Sequence, residues 1–168
     1  VALILVRHGP PEGAEGLCYG ITDLPPAPGL ADLAARLAGE LPGAARLVTS
    51  PLVRALRLAE ALGRARGLAV EVDARLAEID FGAWEGRPWD TIPRPEIDAW
   101  AADLMHARPH GGESVAMLAA RVGAALASAG GGDTLVVTHM GPIRAALARA
   151  RRPGAWQARL PFGGWLLL

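Results

Sequence analysis

The 168-residue chain contains no lysine, no asparagine and one cysteine, Cys18. With no second cysteine there can be no internal disulfide, no CxxC redox pair and no cysteine-built zinc site, a usage that fits a reducing cytoplasm. With no lysine, all 17 basic residues are arginines, so every cationic contact is a planar, permanently charged guanidinium. We read the missing lysine and asparagine, beside abundant Ala, Gly and Pro, as codon bias toward a GC-rich genome.

A surplus of charge of either sign is also lacking. Seventeen basic and seventeen acidic residues cancel, so no global field draws the chain to nucleic acid or an anionic membrane, and any anion site is local. Arg64, Arg66, Arg151 and Arg152 are scattered, without the basic interleaving of a nucleic-acid binder. No apolar run approaches the roughly 18 residues of a membrane helix. Val1 to Val6 meets Arg7 and His8 after six residues, with neither a basic leader nor an apolar stretch of signal-peptide length. The expectation is a cytoplasmic protein, monomer or homodimer, with no nucleic-acid or membrane partner.

What is present is apolar and periodic. Hydrophobic residues make up 51% of the chain, enough for the sizeable core of one domain over 1–168. Short apolar runs at Val1–Val6, Arg46–Thr49, Leu68–Val72 and Thr134–Val137 read as strands, with Trp165–Leu168 as a final one. Helical spacing joins Leu30, Leu33, Leu37 and Leu41, then Leu52, Leu56, Ala59 and Leu62. Further helices are expected at Ser114–Ala127 and Pro142–Ala150, and a short one around Glu96–Met105. Ser50-Pro51 reads as the start of the second helix, with serine as N-cap and proline in the first position. Pro10–Pro28 is a Gly- and Pro-rich loop. Residues 77–113, which carry Trp84, Trp89 and Trp100, read as a lid-like excursion over one end of the sheet, packed by those aromatics. Strands alternating with helices imply α/β layering.

Two of the four histidines share one setting: Arg7-His8-Gly9 and His139-Met140-Gly141 each follow a buried strand. In open α/β sheets ligands bind beyond the carboxyl ends of the strands, so both imidazoles stand where chemistry is usually done. Arg54 lies about one turn inside a helix whose N-terminus attracts anions. Arg7, charged and directly after a buried run, needs a partner or a ligand. His106 and His110 are four apart, but Pro109 intervenes and no HExxH is present, so they read as a surface pair. Ser50, Ser114 and Ser128 lack the GxSxG elbow of a serine hydrolase, and Cys18 reads as a small buried side chain.

Five segments, in order, carry a resemblance: Leu3-Ile4-Leu5-Val6-Arg7-His8-Gly9, Thr49-Ser50-Pro51-Leu52-Val53-Arg54-Ala55, Leu76 to Gly86, Gly112-Glu113-Ser114 and Val137-Thr138-His139-Met140-Gly141. Together they resemble the histidine phosphatase (phosphoglycerate mutase-like) superfamily across nearly the whole chain. The resemblance implies a three-layer α/β sandwich with a mostly parallel central sheet flanked by helices. It also implies His8 as a nucleophile that becomes a phosphohistidine, with its pKa depressed by surrounding positive charge so that the free base persists at neutral pH. His139, Arg7 and Arg54 would surround the phosphoryl oxygens, and no metal or other cofactor is required. Glu78 would be the acid that protonates the departing alkoxide, its pKa raised by partial burial; Asp80, Glu85 and Glu113 stand in neighbouring motifs and compete for that role.

The loop Cys18 to Pro25 is similar to that of alpha-ribazole phosphatases, which act late in cobalamin assembly, so alpha-ribazole 5'-phosphate is one substrate this implies. The family's usual threonine and asparagine after RHG are replaced by Pro10-Pro11-Glu12-Gly13. Thr22 is a candidate replacement on the substrate side, Arg108 a further substrate-side cation, and Leu58, in place of a common threonine, should alter packing only. The leading expectation is a metal-independent phosphomonoesterase acting on a small phosphorylated metabolite. A cofactor-dependent phosphoglycerate mutase would use the same pocket, but its larger members carry extra segments, and the shortness of this chain argues for hydrolysis. A non-catalytic phosphoester-binding module is the third reading, and such a module would usually have lost one of the four pocket histidines and arginines.

Overall fold

The computed structural model describes residues 1–168. Five strands form one sheet in the order β3-β2-β4-β1-β5: β1 Leu3–Arg7, β2 Arg46–Thr49, β3 Val70–Val72, β4 Thr134–Thr138 and β5 Trp165–Leu167. Neighbours are parallel except β5, which pairs antiparallel with β1 at one edge. The helices are α1 Leu30–Glu40, α2 Val53–Arg66, α3 Arg94–Ala102, α4 Val115–Ala127 and α5 Met140–Arg149.

Alternation along the central strands decides the layers. Ile4, Val6, Leu47, Leu135 and Val137 point to one face, where they pack against Leu37 of α1 and Ala55, Leu58, Ala59 and Leu62 of α2. Leu5, Val48 and Val136 point to the other, against Ala125 of α4 and Met140, Ile143 and Ala146 of α5. Because both faces are covered, these strands read as unbroken apolar runs. Each fully buried Leu or Ile contributes about 1.5–3 kcal/mol, so the two layers supply most of the drive to fold. Leu58 is wholly buried in the first layer, as a packing residue. No helix is long and apolar enough to cross a membrane.

Three local expectations are corrected. Helix α2 begins at Val53, not at Ser50-Pro51, because Ser50 turns its hydroxyl inward to His139 while Asp23, thirty residues upstream, accepts the Val53 N–H at 2.7 Å. Its buried stripe therefore runs through Ala55, Leu58, Ala59 and Leu62 rather than Leu52 and Leu56. Gly67, at φ 66°, then ends the helix in a left-handed turn. Strand β3 is an exposed edge of three residues, so only part of Leu68–Val72 is paired. His110 is buried, not a surface residue: its Nδ1 accepts the Gly112 N–H at 2.8 Å and its ring lies 5.0 Å from that of Trp84. His106 remains exposed.

The excursion between β3 and α4 holds its own small core, in which Trp84, Cys18 and Ile92 are buried with Phe81 and Trp100 against them. Cys18 is inert there, its thiol pushed up to about 12 by burial and by Glu85.

Candidate active site

The carboxyl ends of β1, β2 and β4 meet where the sequence places its histidines. The rings of His8 and His139 are 4.9 Å apart, edge to face, and both are buried. His8 Nδ1 lies 2.6 Å from the Gly9 carbonyl. A carbonyl only accepts, so Nδ1 carries the proton and Nε2 keeps its lone pair. The His8 pKa is pushed down to about 3, chiefly by burial, with the Arg54 and Arg7 charges adding to the effect. The sequence points to positive charge as the cause of that depression; loss of water is the larger one. His139 is likewise held neutral, by burial first and then by His8 and Arg54.

Both arginines are fixed by backbone carbonyls. Arg54 Nη1 donates to Thr22 O at 2.7 Å and Nη2 to Gly20 O at 2.5 Å, with its guanidinium 5.2 Å from the Tyr19 ring. Arg7 Nη1 donates to Leu160 O at 2.6 Å, and its guanidinium lies 4.0 Å over the Phe162 ring, which also neighbours His8. The C-terminal segment is hydrogen-bonded to the end of β1 through Gly163 and Gly164, which brings that carbonyl and ring into place. Arg7 Nε, Arg54 Nε and His139 Nδ1 are buried without a protein partner. Unpaired buried polar groups are rare in native proteins, and two guanidinium N–H groups and an imidazole nitrogen without partners gather at this one site.

The loop carrying the two carbonyls is itself tied to Glu85, whose carboxylate accepts the N–H groups of Gly20, Ile21, Thr22 and Phe81 and the Thr22 hydroxyl. These bonds hold the Glu85 carboxyl below its ordinary range despite burial, which suits an organising anion and not a proton donor. Thr22 thus gives its hydroxyl to Glu85 and its carbonyl to Arg54. Gly20 leaves no room for a side chain between Ile79 O and Glu85.

Glu78 is half-buried. Its Oε1 accepts the Ile79 N–H at 2.9 Å and its Oε2 the Gly141 N–H at 3.0 Å, in the first turn of α5. Burial raises its pKa, opposed by those two N–H groups and by the Arg54 and Arg121 charges. Glu113 instead pairs with Arg121 at 2.7 and 2.8 Å, and the same guanidinium donates to the carbonyls of Arg75, Ala77 and Glu78. Asp80 Oδ1 accepts the Gly82 N–H. Among these carboxylates Glu78 is the one whose charge acts on both Arg7 and Arg54.

Arg108 makes no hydrogen bond to either histidine. It is exposed, donates through Nε to Gly112 O at 2.6 Å, and lines a cleft of about 390 Å³ with Asp80, Glu113 and Arg121. Glu12, where the family pattern has changed, is exposed, and its N–H is bound to Pro25 O. Sequence reasoning missed Tyr19, Ser50 as the partner of His139, Glu85 as loop organiser, Arg121, Arg144 and Phe162. A faint signal existed for Arg121 alone, seven residues into an apolar helix where a charge needs a partner.

Two buried imidazoles with two clamped guanidiniums and a carboxyl of raised pKa beside them can hold a phosphoryl group and exchange its proton and ester bonds. The chain matches the histidine phosphatase superfamily (branch 1) over residues 3–161 and belongs to that family. It is 36% identical over 150 residues to the probable phosphoglycerate mutase GpmB of Klebsiella pneumoniae, covering 80% of this chain and 67% of that protein. Against the bifunctional protein Rv2228c of Mycobacterium tuberculosis it is 35% identical over 167 residues, 91% of this chain but only 45% of the relative. Among solved structures, a mycobacterial glucosyl-3-phosphoglycerate phosphatase, Rv2419c, superposes with TM-score 0.81 at 30% identity, covering 99% and 88% of the two chains. A phosphoglycerate mutase from Thermus thermophilus gives 0.81 at 32% identity, with 100% and 92% covered. The α/β fold with its mostly parallel sheet is therefore phosphoglycerate mutase-like, and the family supports a phosphoryl-transfer enzyme.

Proposed function

We propose that the protein is a phosphomonoesterase that works through a phosphohistidine on His8, with no metal required. The observation that carries this reading is the trio of unpartnered buried nitrogens, Arg7 Nε, Arg54 Nε and His139 Nδ1, at the site of a neutral His8 with a free Nε2. The two guanidinium N–H groups are donors that suit the oxygens of a phosphoryl group, with the His139 nitrogen beside them.

In the first step His8 Nε2 bonds to phosphorus as the ester P–O bond breaks, and Glu78 gives its proton to the departing alkoxide. In the second, water attacks the phosphohistidine, Glu78 takes the water's proton, and the P–N bond breaks to release inorganic phosphate and restore neutral His8. Ser50, 2.7 Å from His139 Nε2, fixes that ring. Thr22 acts through Arg54, and Arg108 meets the outer part of a longer substrate. Burial keeps His8 nucleophilic at pH 7, and burial keeps Glu78 protonated for longer than a free carboxyl.

Hydrolysis of 4-nitrophenyl phosphate in excess EDTA, with acid-labile phosphate trapped on the protein, tests the proposal. We expect turnover that survives the chelator and disappears in His8→Ala; turnover abolished by EDTA, or retained in full by His8→Ala, would remove the mechanism. The mutase names of two relatives favour a second reading, transfer back to an acceptor alcohol instead of to water. Measuring phosphate release against phosphoglycerate interconversion separates the two. Alpha-ribazole 5'-phosphate belongs in the same substrate panel.

A further inference from the structure

Glu78 borders two different cavities, and they offer opposite chemistry to a leaving group. One is the wide polar cleft of about 390 Å³, which it lines with Arg121, the residue that donates to its backbone carbonyl. A cavity of about 120 Å³ also has Glu78 in its wall, together with Gly141, the residue whose N–H binds the carboxylate. Its remaining wall is almost entirely apolar: Ile79, Phe81, Leu104, Leu118, Met140 and Trp156. Val115, Arg144 and Trp100, whose indole Nε1 has no hydrogen-bond partner, complete it. Arg144 already donates Nε to Ala158 O, and its charge acts on both Glu78 and Arg7, which ties this cavity electrically to the phosphoryl site.

We infer that this cavity binds the leaving group, and that the substrate is a phosphate ester of a small aromatic or alicyclic alcohol instead of a polyhydroxylated one. The inference rests on the phosphomonoesterase reading and specifies its substrate class. The volume fits one ring, being slightly under the roughly 150 Å³ of an apolar protein cavity that holds benzene. A polyhydroxylated group would set more hydroxyls against Phe81, Leu104 and Leu118 than the single free Trp100 Nε1–H could partner, and the rest would lose their water uncompensated. A ring there stands next to the Glu78 carboxyl, the group assigned to protonate the departing oxygen, because Gly141, whose N–H that carboxyl accepts, lines the same cavity.

The test compares two non-hydrolysable phosphonates, benzylphosphonate and 2,3-dihydroxypropylphosphonate, by calorimetric titration of the whole chain. Benzylphosphonate should bind about ten- to a hundredfold tighter, the range set by fitting or missing a few apolar groups in a pocket. Leu104→Gln should cut that ratio about tenfold; if it does not fold, as judged by circular dichroism, Trp156→Gln serves the same purpose. Equal affinities, or a preference that survives both substitutions, overturn the assignment. Turnover of benzyl phosphate and glycerol 1-phosphate, both primary alkyl esters, separates this failure from that of the function. If neither ester is hydrolysed but benzylphosphonate keeps its preference, hydrolysis falls and the cavity assignment stands. If both are hydrolysed equally and the phosphonates bind alike, hydrolysis stands and the assignment falls.

Discussion

Substituting Gly141 by alanine probes the seat of the acid without touching any charged group. Gly141 lies in the first turn of α5 with an ordinary helical backbone, so alanine costs nothing in conformation and gains up to about 1 kcal/mol in helix propensity. Its new Cβ, however, would collide with Glu78 Oε1 and stand 3.1 Å from Glu78 Cδ and 3.2 Å from Leu118 Cδ2. The carboxyl must move by something like 1 Å and weaken its bond to the Gly141 N–H. A misplacement of about 1 Å can lower a rate about 10²-fold, and general acid catalysis is worth about 10²–10⁴. We therefore expect Gly141→Ala to lower kcat/KM for benzyl phosphate, which reports only the steps through formation of the phosphohistidine, about a hundredfold. For 4-nitrophenyl phosphate, whose leaving group departs without a proton, the loss in kcat/KM should be much smaller. Parallel kcat/KM measurements on both esters, with thermal unfolding to confirm an intact fold, decide the matter. Equal losses on the two substrates, or none on either, would refute the role given to Glu78 and its glycine seat.

Arg54→Lys should lower kcat/KM for 4-nitrophenyl phosphate about 10²–10³-fold, because an ammonium cannot hold the Gly20 and Thr22 carbonyls and still face the anion; steady-state kinetics checks this. Ser50→Ala should destabilise the fold by about 1–3 kcal/mol, read by urea unfolding, since it leaves His139 Nε2 and the Leu52 N–H unpartnered. Acid should weaken the fold through His8. Unfolded histidine gains a proton below about 6.5 but folded His8 only near 3, so the unfolded state binds more protons across that window. Stability falls there by about 1.4 kcal/mol per pH unit for each such histidine, less the opposite contribution of Glu78. Urea midpoints at pH 7 and 5 should separate less in His8→Gln than in the parent. Finally, kcat/KM for benzyl phosphate should decline on the alkaline side as Glu78 loses its proton, with no acid limb from His8 above about pH 4, as a pH–rate profile will show.

Much of the fold was legible because its signals are local. Strand β2 runs from Arg46 to Thr49 as its apolar run predicts, and Ser114 caps α4 with its hydroxyl 3.1 Å from the Met117 N–H. His8 and His139 were legible for the same reason: each ends a buried strand, and neighbouring parallel strands bring their carboxyl ends together. What escaped depends on contacts far apart in the chain. No local pattern could show that Asp23 starts α2, that Glu85 gathers the 20–22 loop, or that Leu160 holds Arg7. The burial of His110 was hidden likewise, since Pro109 and the neighbouring glycines suggest a surface turn and only the Trp84 packing encloses the ring.

The carbonyl that steadies Arg7 lies 153 residues downstream of it, on the segment leading to the edge strand beside β1. During synthesis the nucleophile's strand emerges long before that segment, and its guanidinium has no anchor until Leu160 has left the ribosome. The orientation of this guanidinium is thus settled only when the two ends of the chain close on each other, and a polypeptide stopped just before Leu160 would leave it loose however well the central strands had paired.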